Sequence, residues 1–207
     1  MFTGIIQEMG VVASVCQSVN GVRISISAKK TRKGLKRGGS IAVNGVCLTA
    51  TVISKTGFSA DLLPETLRDT HLGKLVKGEK VNLELAMRLK DRIEGHLVSG
   101  HVEGVGVIQD KKESGNTLLL KISIPLKIRK CCILKGSIAV DGVSLTIQSL
   151  NRGSVTVAII PATEKITTLG IKDAGAFVNL ESDLIGKYLD GQRALRGQRA
   201  LRHLRKP

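Results

Sequence analysis

The chain has 207 residues, 42% of them hydrophobic, which is enough to bury one or two real cores. No apolar stretch is long enough to span a bilayer as a helix, and the opening MFTGIIQEMG lacks the basic and then apolar regions of a signal peptide, so a cytoplasmic protein is expected. The net charge of +15 admits a nucleic-acid or other anionic partner, but six of the basic side chains crowd into Gly191 to Pro207, where there is no acid.

In chain order, the first half reads as short strands between tight turns. Val22 to Ser27 alternates strictly between apolar and polar residues, and Asn20-Gly21 and Asn44-Gly45 are hairpin turn signals. The basic run Lys29 to Gly39 reads as a solvated connection. Pro64 to Gly73, PETLRDTHLG, reads as a short helix whose proline suits a first turn. The polar segment Arg88 to His96 breaks the apolar pattern and marks a boundary.

The second half then repeats the first. TGIIQEMGVV returns as SGHVEGVGVI at an offset of 96 residues. From there the offset is 97: GSIAVNGVCLT (Gly39 to Thr49) returns as GSIAVDGVSLT (Gly136 to Thr146), identical at nine of eleven positions. PETLRDTHLG returns as PATEKITTLG, and KGEKVNLE as AGAFVNLE. Asp141-Gly142 is again a turn, and Ser154 to Ala158 again alternates. Two copies of domain length mean a duplication rather than a solenoid. The expected class is all-β, one small Greek-key barrel per half. Residues 1–95 and 96–182 form the two units, with 183–207 as a tail. In that tail Leu184, Ile185, Tyr188 and Leu189 fall at helical spacing, with Asp183 as N-cap. The tandem GQRALRGQRALR beyond reads as a frayed helix end or a disordered arm.

Period two assigns faces inside the repeat. Val46, Leu48, Ala50 and Val52 point one way, and Cys47, Thr49 and Thr51 the other. In the second copy Val143, Leu145 and Ile147 oppose Ser144, Thr146 and Gln148. Each half thus presents a thiol or hydroxyl beside a threonine, directed away from its core. The pairs Cys47/Ser144, Asn44/Asp141 and Ile5/His101 are candidates for breaking the symmetry between the copies. His96 and His101 are an odd number of residues apart, so on one strand they diverge and make no metal pair; His96 orders the linker, and His71 and His203 sit in solvent. Cys16, Cys47, Cys131 and Cys132 form no CxxC spacing, so neither a zinc site nor a disulfide framework is expected. Binding of single-stranded nucleic acid needs stacking aromatics, and Phe2, Phe58, Phe177 and Tyr188 are all there are.

MFTGI at the start, NGVCLT, GHLVSGH, DGVSLT and the two TLG segments, in this order and spacing over residues 1 to 190, resemble the riboflavin synthases of the trimeric alpha-chain type. The resemblance implies two six-stranded barrels and a C-terminal helix that drives a homotrimer. It implies conversion of two molecules of 6,7-dimethyl-8-ribityllumazine into riboflavin and 5-amino-6-ribitylaminouracil, without cofactor or metal. The active site would lie between the N-barrel of one subunit and the C-barrel of its neighbour, with lumazine synthase as a candidate partner. Carried over by motif, substrate positions fall in the N-half on Gly4, Ile5, Ile6, Cys47, Leu48, Thr49, Asp61, Leu62, Leu63, Pro64, Glu65 and Thr66. In the C-half they fall on Gly100, His101, Val102, Lys135, Ser144, Leu145, Thr146, Ile160, Pro161, Ala162, Thr163, Glu164 and Lys165. Cys47, His101 and Ser144 are the candidates for proton transfer or nucleophilic addition, and Phe2 for covering the ring. Ala162 stands where the first copy has Glu65, which removes a carboxylate from the second ribityl site unless Glu164 replaces it. The alternative is a catalytically silent lumazine- or flavin-binding relative. Such proteins degrade one barrel's motif, whereas here Cys47, Thr49, His101, Ser144 and Thr146 are all present.

Overall fold

The computed structural model describes residues 1–18 and 21–203. The first barrel comprises β1 (Glu8–Ser18), β2 (Gly21–Ser27), β3 (Ser40–Val43), β4 (Val46–Ile53), β5 (Gly57–Leu62) and β6 (Lys80–Leu85). The second comprises β7 (Gly104–Ser114), β8 (Thr117–Ser123), β9 (Ser137–Val140), β10 (Val143–Leu150), β11 (Ser154–Ile159) and β12 (Phe177–Ser182). Both close through antiparallel neighbours in one ring order, β1-β2-β5-β4-β3-β6 and its counterpart β7-β8-β11-β10-β9-β12. Closure leaves no free sheet edge among the described residues.

Four short helices, α1 (Thr31–Gly34), α2 (Pro64–Asp69), α3 (Leu126–Arg129) and α4 (Pro161–Ile166), bridge strands, and α5 (Leu184–His203) ends the described chain. The α2 and α4 helices open on proline at the first turn, as expected. The α1 turn falls inside the basic run read as plain connection. It is held from outside by Glu8, whose carboxylate accepts from the N–H groups of Lys29, Lys30 and Thr31 at 2.5–2.9 Å. That long-range cap has no local sequence signal.

Core packing follows the alternation. Ile24, Ile26, Ile41, Val43, Phe58 and Leu83 fill the first barrel, and Ile108, Leu120, Ile122, Ile138, Val157 and Leu180 the second. The face assignment fails at Val52, which is 46% exposed. A bulge between Ala50 and Val52 inserts one residue and flips the phase beyond it.

The two barrels meet through a reciprocal network around the Asn44-Gly45 and Asp141-Gly142 turns. Asn82 donates from Nδ2 to the Asp141 carbonyl (3.0 Å), and Asn179 from Nδ2 to the Asn44 carbonyl (2.9 Å). The Oδ1 atoms of these asparagines accept from the N–H of Thr168 and of His71, both at 2.7 Å. A Cβ on Gly45 would stand 2.6 Å from the Gly142 nitrogen, so the two turns touch back to back. Asn44 Oδ1 accepts from Asn82 N–H, and Asp141 Oδ1 from Asn179 N–H; both side chains are buried. The Asn44/Asp141 difference therefore belongs to the seam between barrels, not to a binding face. Its charge is met by Lys172, which pairs with Asp141 where the first barrel has Leu75. His71 is likewise drawn out of solvent, stacked on Phe177 with ring centroids 5.4 Å apart.

Asp183 caps α5 through Oδ1 to the Ile185 N–H, at 3.0 Å. Lys187 ties the helix to Glu103 (2.9 Å), and Gly186 presses on the Cys131 carbonyl so closely that a Cβ would stand 2.2 Å away. The helix continues through the glycine-interrupted tandem to His203, so of the two readings the helix end holds there, because Ala, Leu, Arg and Gln outweigh two glycines at about 1 kcal/mol each. The turn at Asn20, the side chain of His203 and residues 204–207 of the arm lie outside the described residues.

Candidate active site

Each barrel directs one polar strand face outward. On β4 Cys47 is half-buried and Thr49 exposed; on β10 Ser144 is half-buried and Thr146 exposed. Leu48 and Leu145 point the opposite way, into the cores.

The segments that complete these faces are exchanged between the halves. Cys47 N–H donates to the Gly100 carbonyl (2.9 Å), and Ser144 N–H to the Gly4 carbonyl (2.8 Å). Gly4, Ile5 and Ile6 thus lie against the second barrel, and Ile6 is buried in that barrel's core. Gly100, His101 and Val102 lie against the first barrel, where Val102 packs on its core. Cys47 thus lies against Gly100, and Ser144 against Gly4. Both glycines have positive φ, +77 and +80, and a Cβ on either would stand 2.6 Å from the opposing Cys47 or Ser144 Cβ. Only glycine permits that approach.

Two buried carboxylates hold the exchanged segments. Glu84 accepts from Thr3 N–H (2.7 Å), Thr3 Oγ1 (2.8 Å) and Gly4 N–H (3.0 Å). Glu181 does the same for Ser99 N–H (2.7 Å), Ser99 Oγ (2.6 Å) and Gly100 N–H (3.0 Å). Burial pushes the Glu84 carboxyl up, and the Thr3 and Gly4 donors partly restrain it. Sequence reasoning missed both, along with Asn82 and Asn179. Their signal was the repeated VNLE quartet, two identical polar residues inside an otherwise apolar strand.

Phe2 is fully buried, paired with Val98 through backbone hydrogen bonds of 2.8 and 3.1 Å and packed with Ala42 and Ala139. Its ring fills the seam and has no free face to lay over a ligand.

His96 does more than order the linker. It is 8% exposed, and its Nδ1 lies 2.7 Å from Ser144 Oγ. Burial lowers its pKa despite the opposing influence of Asp183 and Glu181, so the ring is neutral near pH 7. Its Nε2 is buried without a protein partner. The residue precedes the stretch that the second copy shares with the first and has no counterpart for Cys47, so repeat comparison could not single it out.

The rims differ. In the first barrel the register that sets Ala50 opposite Ala60 brings Asp61 beside Thr49. Arg23 pairs bidentately with Asp61 at 2.6 and 2.9 Å and holds its carboxyl below the usual range. Leu62 is core, while Leu63, Pro64 and Glu65 are exposed and Thr66 half-buried at the start of α2. In the second barrel Ala158 and Leu119 take the places of Asp61 and Arg23. Ile160, Pro161, Ala162 and Lys165 are exposed and Thr163 half-buried around α4. The Glu164 stem packs over Gly170, as Leu67 does over Gly73, so it does not replace the missing carboxylate at Ala162. Lys135 instead donates to Gln148 Oε1 at 2.6 Å.

Among the described residues no three His, Cys, Asp or Glu side chains gather as a metal site. Burial raises the Cys132 thiol to about 11, which removes it from thiolate chemistry. A cleft of about 840 Å³ opens beside Ile5 and Arg88, but neither Cys47 nor Ser144 lines it.

Two pseudo-equivalent polar faces on tandem closed barrels define a duplicated lumazine-binding protein, and the lumazine binding domain model matches residues 3–86 and 99–183. Solved structures of LumP are similar: the complex with 6,7-dimethyl-8-(1'-D-ribityl) lumazine has a TM-score of 0.79 at 26% identity, covering 88% of this chain and 99% of that one. The riboflavin complex has a TM-score of 0.82 at 25% identity. Riboflavin synthase of Bacillus subtilis (strain 168) is 44% identical over 189 residues, 91% of this chain and 88% of that protein. That of Mycobacterium tuberculosis (strain ATCC 25618 / H37Rv) is 41% identical over 194 residues, 92% and 96% of the respective chains. The chain belongs to the riboflavin synthase family.

Proposed function

We propose that this chain is a transferase that converts two molecules of 6,7-dimethyl-8-ribityllumazine into riboflavin and 5-amino-6-ribitylaminouracil by moving a four-carbon unit from one to the other. The observation that carries this reading is the pair of intact half-sites, Cys47 with Thr49 and His101, and Ser144 with Thr146 and His96. A silent binder needs one face; a dismutation needs two, because two copies of one substrate must meet. Apposing them supplies up to about 7–11 kcal/mol through proximity and orientation.

Within one chain the faces lie on separate barrels and are open, so each catalytic centre is completed by a second subunit. The α5 helix provides the means of assembly. Ile185, Tyr188 and Leu189 are 57–69% exposed along one stripe, an apolar face that suits packing in a homotrimer. The trimer is proposed to work in the cytoplasm, with lumazine synthase as its partner.

The deciding experiment is incubation of the purified chain with 6,7-dimethyl-8-ribityllumazine alone, following riboflavin absorbance. Turnover is expected without metal, nucleotide or redox agent, and unchanged by chelator. Binding of the lumazine with no riboflavin formed would overturn the reading in favour of a silent binder.

A further inference from the structure

The start of α5 fills a groove on the second barrel, and the first barrel carries the same groove open. On the second barrel the helix is seated by three residues. The Cys131 carbonyl lies under Gly186, Glu103 pairs with Lys187 at 2.9 Å, and Glu181 stands 3.6 Å from the same ammonium. Their counterparts in the first copy are Gly34, Gln7 and Glu84, and all three line the cleft of about 840 Å³.

Hydrogen bonds fix this equivalence. Leu35 N–H donates to the Arg32 carbonyl as Cys132 N–H does to that of Arg129, both at 3.2 Å. Gly39 N–H donates to the Lys36 carbonyl (2.9 Å) as Gly136 N–H does to that of Ile133 (3.0 Å). Gln7 Oε1 accepts from Leu85 N–H (3.2 Å) as Glu103 Oε1 accepts from Ser182 N–H (2.8 Å). The copies part only after the last strand of each barrel. Where β12 runs into α5, β6 runs into a turn: Met87 N–H bonds the Met1 carbonyl, and Asp91 N–H the Arg88 carbonyl.

The open groove has also changed sign. Where the second copy has Glu103, Ile133 and Leu134, the first has Gln7, Lys36 and Arg37. Lys90 and Arg92 add two cations from the linker. With Lys36 they make no ion pair among the described residues, whereas Arg88 is taken by Asp91 at 2.9 Å. Glu94 is the one exposed carboxylate of the lining left to oppose them. Between the charges, Leu35, Leu85, Ala86 and Met87 supply apolar surface.

We propose that this groove docks an acidic amphipathic helix of a partner protein, seated as α5 is seated on the second barrel. Its carboxylates meet Lys36, Lys90 and Arg92, and its apolar stripe covers the leucines, alanine and methionine, the helix-in-groove mode of recognition. The α5 helix of a second copy fits poorly. It would bring Lys187 to Gln7 instead of Glu103, and no acid follows Asp190 to offset its arginines against a cationic lining. A small anion would meet the cations but leave the apolar surface wet. Neither Cys47 nor Ser144 lines the groove, so docking leaves both uncovered. The inference is independent of whether the chain turns over lumazine.

The probe is a labelled peptide of residues Asp183 to Arg193 carrying Lys187→Glu and Arg193→Glu, locked as a helix by a side-chain staple on its outer face. Fluorescence anisotropy with the full chain should show saturable binding, at least about tenfold tighter than that of the same peptide without the two substitutions. Binding should weaken as salt rises from about 50 to about 500 mM. In the Lys36→Glu/Lys90→Glu chain the preference should reverse, the unsubstituted peptide now binding better. A Lys127→Glu/Lys130→Glu chain, changed at exposed lysines outside the groove, should bind as wild type does. Melting temperature and basal turnover should be unchanged in both variants. No saturable binding, equal affinity for the two peptides, or a preference that survives Lys36→Glu/Lys90→Glu overturns the proposal. So does tight binding of inorganic pyrophosphate in place of the peptide, which would make the groove a small-anion site. Self-association in sedimentation that Lys36→Glu/Lys90→Glu abolishes also overturns it, because a second copy would then be the occupant.

Discussion

Replacing Glu84 should disable a site from the far side of a buried seam. Its carboxylate is 2% exposed and accepts three hydrogen bonds from Thr3 and Gly4. Hydrogen bonds to a charged group contribute about 1.5–3 kcal/mol each, and a stranded buried N–H costs about 1–3 kcal/mol. The full sum is not available, because burial itself opposes the charge and raises the Glu84 pKa. A net loss of about 3–5 kcal/mol is expected for Glu84→Ala, the range for breaking one side of a buried charged cluster. At about 2–4 °C per kcal/mol for a chain of this size, the melting temperature should fall by about 6–20 °C. Glu84→Gln retains one acceptor oxygen but turns an amide donor toward Gly4 N–H, so about half that loss is expected. Because the Gly4 carbonyl accepts from Ser144 N–H, kcat should also fall, by about 10- to 10²-fold for a displacement near 1 Å. Urea unfolding and steady-state turnover on the same preparations check both. Glu84→Ala costing under about 1 kcal/mol, or losing stability with turnover unchanged, would refute the reasoning.

Deleting Asp183 to Pro207 should abolish both trimer and turnover, whereas deleting only from Gly191 should cost far less; sedimentation of the two truncations decides, and an active monomer refutes the trimer. Asp141→Asn strands Lys172 in the seam and should cost about 3 kcal/mol, and adding Lys172→Leu, which recreates the Asn44/Leu75 pairing of the first barrel, should recover most of it in urea unfolding. Burial alone would raise the Glu8 pKa, but the Thr31, Lys29 and Lys30 N–H donors hold it below its ordinary 4.5. Its stabilisation is therefore full above that value and lost as pH falls through the depressed one. The stability difference between wild type and Glu8→Gln should be constant from pH 7 to 5 and shrink below about pH 4.5.

Much of this molecule was legible locally. Alternation of apolar and polar residues is a property of neighbours, so it located the strands, the outward Cys47/Thr49 and Ser144/Thr146 faces, and the apolar stripe of α5. The same rule misplaced Val52, because a bulge depends on how β4 meets β5 and not on β4 alone. It also left Glu84 and Glu181 unread, although the VNLE quartet carried them in plain view.

By itself the sequence determined that the chain is a duplication, that each copy is a barrel, and that the copies differ at a few pointed positions. It could not say what those differences face. Only the docking of the barrels decided that Asn44 and Asp141 lie in a buried seam, and that Phe2 packs there. Docking likewise decided that Gly4 serves Ser144 and Gly100 serves Cys47. The physical reason is the range of the interaction. Periodicity is set by backbone geometry over a few residues, while these contacts join groups many tens of residues apart, and their partners exist only once both barrels have closed.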